Sequence, residues 1–240
     1  MKLGDKEYLS HLSIDCVIFG YQAKALKVLI AKFKFGKGSW ALPGGYILKT
    51  EGIDKAAARI LKDRTGLENI YLEQFRVFGD ENRIVNSPYK QTLRSELTKF
   101  DEHRFDSAVT DWMTSRFVCI GYYALVDINQ VNPQAGEFDE FLQWRSVTDI
   151  PQMIHDHGEI LTVALGALRQ NLDQKLLAFN LLPETFTMRE LQELYEAVYN
   201  RPFVITNFQK KMLDLNVLER LEKKYTGAAN KAPYLYRFKK

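Results

Sequence analysis

The chain has 240 residues, enough for one large domain or two small ones, and its 46% hydrophobic content supports a real core. Its two cysteines, Cys16 and Cys119, lie in apolar runs, which suits buried thiols in a reducing, cytoplasmic setting better than a disulfide framework. The N-terminal stretch lacks the basic, apolar and small-residue order of a signal peptide, and no apolar run approaches a membrane span. The net charge of +3 hides an asymmetry: residues 201–240 hold ten Lys or Arg against three Asp or Glu, and the other 200 residues hold 23 against 27. A segment of +7 on a body of −4 points to a polyanionic partner for the C-terminal end.

In chain order, the β-branched and apolar runs Ser13–Phe19 and Lys27–Phe33 predict two strands. A flexible loop from Phe35 to Ser39 precedes Trp40. Glu51–Arg64 reads as a helix with Gly66 as its C-cap. Tyr71–Phe78, Arg116–Ile128 and Phe141–Val147 read as further strands. Residues 80–115 are polar with scattered aromatics, hold a short predicted helix at Thr92–Phe100, and form a long insertion suited to a lid or a dimer arm.

Leu42-Pro43-Gly44 leads into GYILKTEGIDKAAARILKDRTGL, residues 45–67. Gly45 and Glu51 are separated by five residues, Glu51 and Arg59 by seven, and Leu61, Gly66 and Leu67 follow. This resembles the Nudix box of enzymes that hydrolyse nucleoside diphosphates linked to another group. That family's second-half glutamates share one helix face and hold magnesium through hard oxygen ligands. Here those positions carry Ile60, Asp63 and Arg64. One aspartate is a poor cage, and Arg64 puts a fixed positive charge where the cation belongs. We therefore expect no catalytic residue, no metal site, no cofactor and no enzyme activity. The rival reading is an active hydrolase using Glu51 and Asp63.

The second half opens with His157–Leu172, whose Ile160, Leu161, Ala164, Leu165 and Leu168 form a helical stripe. An apolar run, 176–182, follows. Thr187 and Glu190 then predict a capping box ahead of Leu191, Leu194, Tyr195 and Val198. Thr206 or Asn207 is expected to cap a helix at Phe208–Leu215, with Phe208, Met212 and Leu213 facing the core. Val217–Tyr225 and Pro233–Phe238 pair as strands around residues 226–230. A capped helix, a turn, a basic helix and a basic hairpin give a winged helix-turn-helix. The expected DNA contacts are Arg201, Thr206, Asn207, Gln209, Lys210 and Lys211 at the helix and Lys224, Thr226, Asn230, Lys231 and Arg237 on the wing.

Together these segments are similar to the Nudix-related transcriptional regulators, most of all to their arabinose-responsive repressor branch. The likeness rests on LPGG with the broken box, on DIPQMIHDHGEILTVALGALR and on FTMRELQELYEAVYNRPFVITNFQKKML. It implies an α/β (α+β) Nudix-like sandwich at residues 1–153 that binds an effector. A linking helix and a C-terminal winged helix occupy 154–240. The partners implied are double-stranded operator DNA, a small-molecule effector and a second copy of the chain in a homodimer, with no membrane. L-arabinose is the favoured effector, with ADP-ribose as the alternative. The resemblance puts the effector between Lys32, Trp40, Gly44, Gly45, Tyr123, Glu140 and His157.

Overall fold

The structure is a computed structural model and describes residues 7–35, 39–83, 89–101, 105–172, 174, 181–224 and 232–239. Its elements run β1 (Tyr8–Gln22), β2 (Ala25–Phe33), β3 (Trp40–Ala41), β4 (Gly44–Leu48), α1 (Ile53–Thr65), β5 (Tyr71–Phe78), α2 (Tyr89–Phe100), α3 (Ser107–Met113), β6 (Val118–Val126) and β7 (Asp139–Ser146). Then come α4 (His157–Asn171), β8 (Phe186–Thr187), α5 (Met188–Tyr199), α6 (Ile205–Asp214), β9 (Leu218–Lys223) and β10 (Tyr234–Phe238).

β1 is the spine of a seven-stranded mixed sheet ordered β3-β2-β1-β6-β5, with β4 also paired to β1 and β7 to β2. β1 and β6 run parallel, from Leu12↔Val118 to Gly20↔Val126. Strand alternation sends Ile14, Cys16 and Ile18 to one face, where they bury Ala56, Ala57, Ile60 and Leu61 of α1. Val17, Phe19, Tyr123 and Leu125 go to the other face and meet Ile160, Leu161, Ala164 and Leu168 of α4. The result is a helix–sheet–helix sandwich, as expected. Gly66 closes α1 at φ 74°, with its N–H on the Lys62 carbonyl at 2.7 Å.

The same apolar cluster continues without a break into Leu191, Leu194 and Val198 of α5 and Phe208 and Met212 of α6. The β1–β2 hairpin tip adds a polar tie, Lys24 Nζ to Glu193 at 2.9 Å. β8, β10 and β9 form a three-stranded antiparallel sheet, and Phe186 packs on Phe238 with centroids 5.1 Å apart. The helix-turn-helix bend is held by α5 itself. Gln192 donates to the Phe203 carbonyl at 3.0 Å, and the Phe203 N–H donates to Glu196 at 2.9 Å. That last bond holds the Glu196 carboxyl below its ordinary pKa. Among the described residues no helix is long and apolar enough to cross a membrane.

Two local expectations are corrected. α6 begins at Ile205 with Val204 as N-cap, so Thr206 and Asn207 lie inside the helix rather than capping it. Leu213 is 54% exposed and does not face the core; Phe208 and Met212, four residues apart, alone anchor the helix. α3 was not expected, because its seven residues are too few to show a helical period. The expected apolar run 176–182 lies outside the described residues except for Leu181 and Leu182.

The expected capping box is present: the Glu190 N–H donates to Thr187 Oγ1 at 3.2 Å, and the Thr187 N–H donates to Glu190 Oε2 at 2.6 Å. Thr187→Ala should therefore cost about 1 kcal/mol in denaturant unfolding monitored by circular dichroism. An unchanged midpoint would mean that tertiary packing alone holds α5.

Candidate functional site: a cavity beside a broken box, and an exposed basic helix

The box helix keeps its frame through charge pairing. Glu51 accepts from the Leu48 N–H at 2.9 Å and takes Arg59 in a two-bonded fork at 2.6 and 3.1 Å. The Arg59 bond holds the Glu51 carboxyl below its ordinary pKa. Arg59 also donates to the Tyr46 carbonyl at 2.9 Å and lies 3.7 Å from Asp63.

Magnesium is what the box implies, and the residues present do not fit it. Ile60 is buried against Gly45, whose added Cβ would sit 3.1 Å from its side chain. Asp63 is largely exposed and paired to Arg59. Arg64 binds the buried Asp139 and lies 3.4 Å from the Gly44 carbonyl. Among the described residues no three His, Cys, Asp or Glu side chains converge to hold an ion. The guanidinium itself occupies the box, and Gly136 leaves it room, since a Cβ there would lie 2.0 Å from Arg64 Nη1.

Beside this helix lies a cavity of about 540 Å³. Its polar wall includes Asp15, Arg59, Arg64, Arg83, Asp139 and His157, and its apolar wall includes Phe33, Phe35, Tyr46, Phe117 and Phe138. The insertion closes it, with Leu93 and Leu97 from α2 and Met113 from α3. Burial beside Asp15 pushes the Tyr46 phenol well above its usual pKa, so it stays protonated.

At one end of the cavity a buried carboxylate collects partners from three segments. Asp15 accepts from the Cys119 thiol at 2.8 Å, lies 3.5 Å from Arg83 and 3.8 Å from His157 Nε2. Burial and the neighbouring Asp15 push the Cys119 thiol up, so it remains a donor. Arg83 in turn binds Asp156, the N-cap of α4, at 2.5 Å and donates to the Phe117 carbonyl at 3.0 Å. His157 accepts the Leu42 N–H on Nδ1 at 2.9 Å. The first turn of α4 is thus bonded to the cavity wall through two separate side chains.

Of the expected effector residues, the structure brings Gly44, Gly45 and His157 to the cavity. Lys32 and Trp40 form a neighbouring patch outside its lining, with Lys32 Nζ 4.9 Å from the Trp40 ring and Phe141 5.9 Å away across an edge contact. Glu140 is exposed on β7. Tyr123 is fully buried on the α4 face, donating to Glu73 at 3.1 Å. Depth along the strand explains it: Asp15 and Val17 share a face, but Tyr123 sits opposite Val17, further into the sheet than Gly121 opposite Asp15. Reading the sequence missed Arg83 and Asp139, which carry no motif. Asp15 did leave a signal, a lone charge inside an apolar strand.

The expected DNA-binding residues on α6, Thr206, Asn207, Gln209, Lys210 and Lys211, are all exposed. Arg201 is exposed before the helix, over the Phe203 ring at 5.2 Å. On the wing, Lys224 pairs with Glu190 at 3.1 Å and Arg237 with Glu219 at 2.7 Å. Thr226, Asn230 and Lys231 lie outside the described residues.

His155 lines the cavity with φ 45°, and burial, aided by His157, lowers its pKa to about 4 from 6.5. The unfolded chain takes up a proton near pH 6.5 that the folded protein resists until about pH 4. Stability is therefore whole above pH 6.5 and falls as pH drops toward 4. His155→Asn, which tolerates the left-handed backbone, should flatten that fall in denaturant midpoints measured across this range. An identical pH profile in the variant would remove His155 from the cause.

The NUDIX domain profile matches residues 9–163, and that of the NrtR DNA-binding winged helix domain matches residues 178–238. The chain is similar to the "ADPR responsive transcriptional repressor NtrR" of Acinetobacter baylyi, at 24% identity over 95% of this chain and 81% of that protein. Its fold is similar to that of NrtR from Shewanella oneidensis, with a TM-score of 0.69 and 24% identity over 96% of this chain and 94% of the other. The same protein complexed with a 27mer DNA gives a TM-score of 0.67 at the same identity and coverage. A MutT/nudix family protein from Enterococcus faecalis gives 0.68 at 19% identity over 100% of this chain and 90% of its own. With more than half of its length in the match, this chain belongs to the NUDIX family, and it carries a winged helix domain behind its Nudix domain.

Proposed function

We propose that this protein is a transcriptional repressor that binds operator DNA through α6 and its wing. A small effector in the non-catalytic Nudix cavity releases it. The single observation that carries this reading is Arg64, a paired guanidinium standing where the family's metal-binding face would be. It removes the cation needed for hydrolysis and supplies a charge suited to a diphosphate.

The effector we assign is ADP-ribose or a close nucleoside diphosphate derivative. The sequence reading favours L-arabinose, but no relative described above is named for that sugar. The ADP-ribose alternative is the one that the name of the Acinetobacter repressor supports. A cavity of about 540 Å³ lies in the usual range for small-ligand sites. Its aromatic wall suits a base, and Arg64 and Arg83 suit the diphosphate. An anionic ligand must compete with Asp139 and Asp15 for those guanidinium groups, which gives it different affinities for two arrangements of the wall.

We further propose that α4, at the junction of a 1–153 effector part and a 154–240 DNA-binding part, transmits the change. Its N-terminus is bonded to the wall through Asp156 and His157, and its apolar face shares a core with α5. A twofold homodimer would set two α6 helices on a palindromic operator.

The test is a mobility-shift assay with duplex DNA from upstream of the protein's own gene cluster, with ADP-ribose and L-arabinose titrated in parallel. Release by ADP-ribose alone is expected, and release by arabinose alone would overturn the effector assignment. Magnesium-dependent turnover of ADP-ribose, abolished by Glu51→Gln, would restore the hydrolase reading. The double variant Lys210→Ala, Lys211→Ala should weaken duplex binding at least tenfold and lower the slope of log affinity against log salt by about 2. Arg83→Ala should retain duplex binding but lose most of the ADP-ribose response, because it cuts one bond between wall and lever. A normal response in that variant would take Arg83 out of the relay.

A further inference from the structure

Four residues of α6 form one outward ridge. Thr206, Gln209, Lys210 and Leu213 stand at i, i+3, i+4 and i+7, opposite the buried Phe208 and Met212, and all four are exposed. Three of them are polar. Leu213 is not, yet 54% of it meets solvent with its whole ridge uncovered. An exposed leucine is ordinary by itself. Its place here is less so, because the ridge belongs to the helix that carries Lys210 and Lys211 in a segment of +7 charge. That charge complementarity makes duplex DNA the occupant of this face.

The major groove presents mostly hydrogen-bonding groups, and its one exposed apolar group is the thymine C5-methyl. We propose, resting on the DNA-binding reading above, that Leu213 is a specificity-determining residue that packs on a thymine methyl in the operator half-site. Gln209, one turn before it on the ridge, has the paired donor and acceptor that adenine N6 and N7 require. α6 carries no arginine, the side chain best shaped for guanine O6 and N7. Gln209 and Leu213 therefore suit A·T pairs, while Lys210 on the same ridge suits a phosphate or a guanine. The rise from Thr206 to Leu213 is about 10 Å at 1.5 Å per residue, roughly three base-pair steps, so one half-site core of that length lies under it.

The probe is a duplex selected from a random-sequence pool by the full-length protein. Each thymine of the selected half-site is then replaced in turn by deoxyuridine, which removes only the methyl. One replacement should weaken wild-type binding about 3- to 5-fold. Leu213→Ala should lose about the same factor on the thymine duplex and bind thymine and deoxyuridine duplexes equally. Equal wild-type affinity for every deoxyuridine duplex, with tight binding intact, would overturn this assignment and leave the DNA-binding reading standing. The same holds if Leu213→Ala binds as wild type and still senses the methyl, the outcome expected if Leu213 instead seats a protein partner. Failure to recover any duplex from the pool would sink both readings together. Since Leu213 is exposed, unchanged circular dichroism is expected for the variant, and the deoxyuridine series on wild type needs no variant.

Discussion

A carboxylate in the middle of an apolar strand has to be paired where it lies, and Asp15 in β1 is that group. Its oxygens draw in a thiol from β6, a guanidinium from the insertion and an imidazole from α4. Each of those partners is itself bonded onward, Arg83 to Asp156 and His157 to the Leu42 N–H. One buried charge thus fixes where the insertion closes over the cavity and where α4 begins. Removing any single member would leave a buried charge or donor without compensation, which costs more than the pair contributes. The network is a constraint on geometry more than a source of stability.

The Nudix frame and the poor fit of its helix face to a metal follow from one substitution pattern. Arg59 still locks Glu51 to the start of the box helix, so the backbone frame survives. Ile60 has joined the core beneath the sheet, and Arg64 has replaced a ligand by a cation held on Asp139. A divalent ion and a guanidinium answer the same negative ligand by different means. The ion activates water as well as neutralising charge, whereas the guanidinium only binds. On the proposed reading, a site rebuilt in this way keeps recognition and gives up turnover, as a sensor requires.

At the other end of the molecule, α6 is held by two side chains and a bend. Phe208 packs edge-on against Tyr195 at 5.2 Å, and Gln192 with Glu196 ties down the Phe203 backbone. Anchoring on one narrow stripe leaves the rest of the helix free to face a groove. The continuous core from α4 through α5 to α6 means that a shift at the first turn of α4 has a packed path to that helix.

Much of this was legible in the chain. Strand runs around 13–19 and 27–33, the stripe on α4, the Thr187–Glu190 capping box and the Gly66 cap are local patterns, and each lies where periodicity and capping chemistry put it. The spacing of Gly45, Glu51 and Arg59 was enough to mark the box and its missing ligands. What local pattern could not give was which distant groups meet. Lys32, Trp40 and Tyr123 are plausible ligands by type, but the pairing of Lys32 with Trp40 and the depth of Tyr123 along β6 place them elsewhere than the cavity. Leu213 reads as core by its apolar character, and only the start of α6 at Ile205 and its packing on Phe208 and Met212 turn it outward. By itself the sequence determined the elements, the broken box and the basic C-terminal segment, because each is written in the spacing of near neighbours. The tertiary structure alone decided the pairing of Arg64 with Asp139 and of Arg83 with Asp15 and Asp156, because those contacts join residues 68 to 75 positions apart through the sheet.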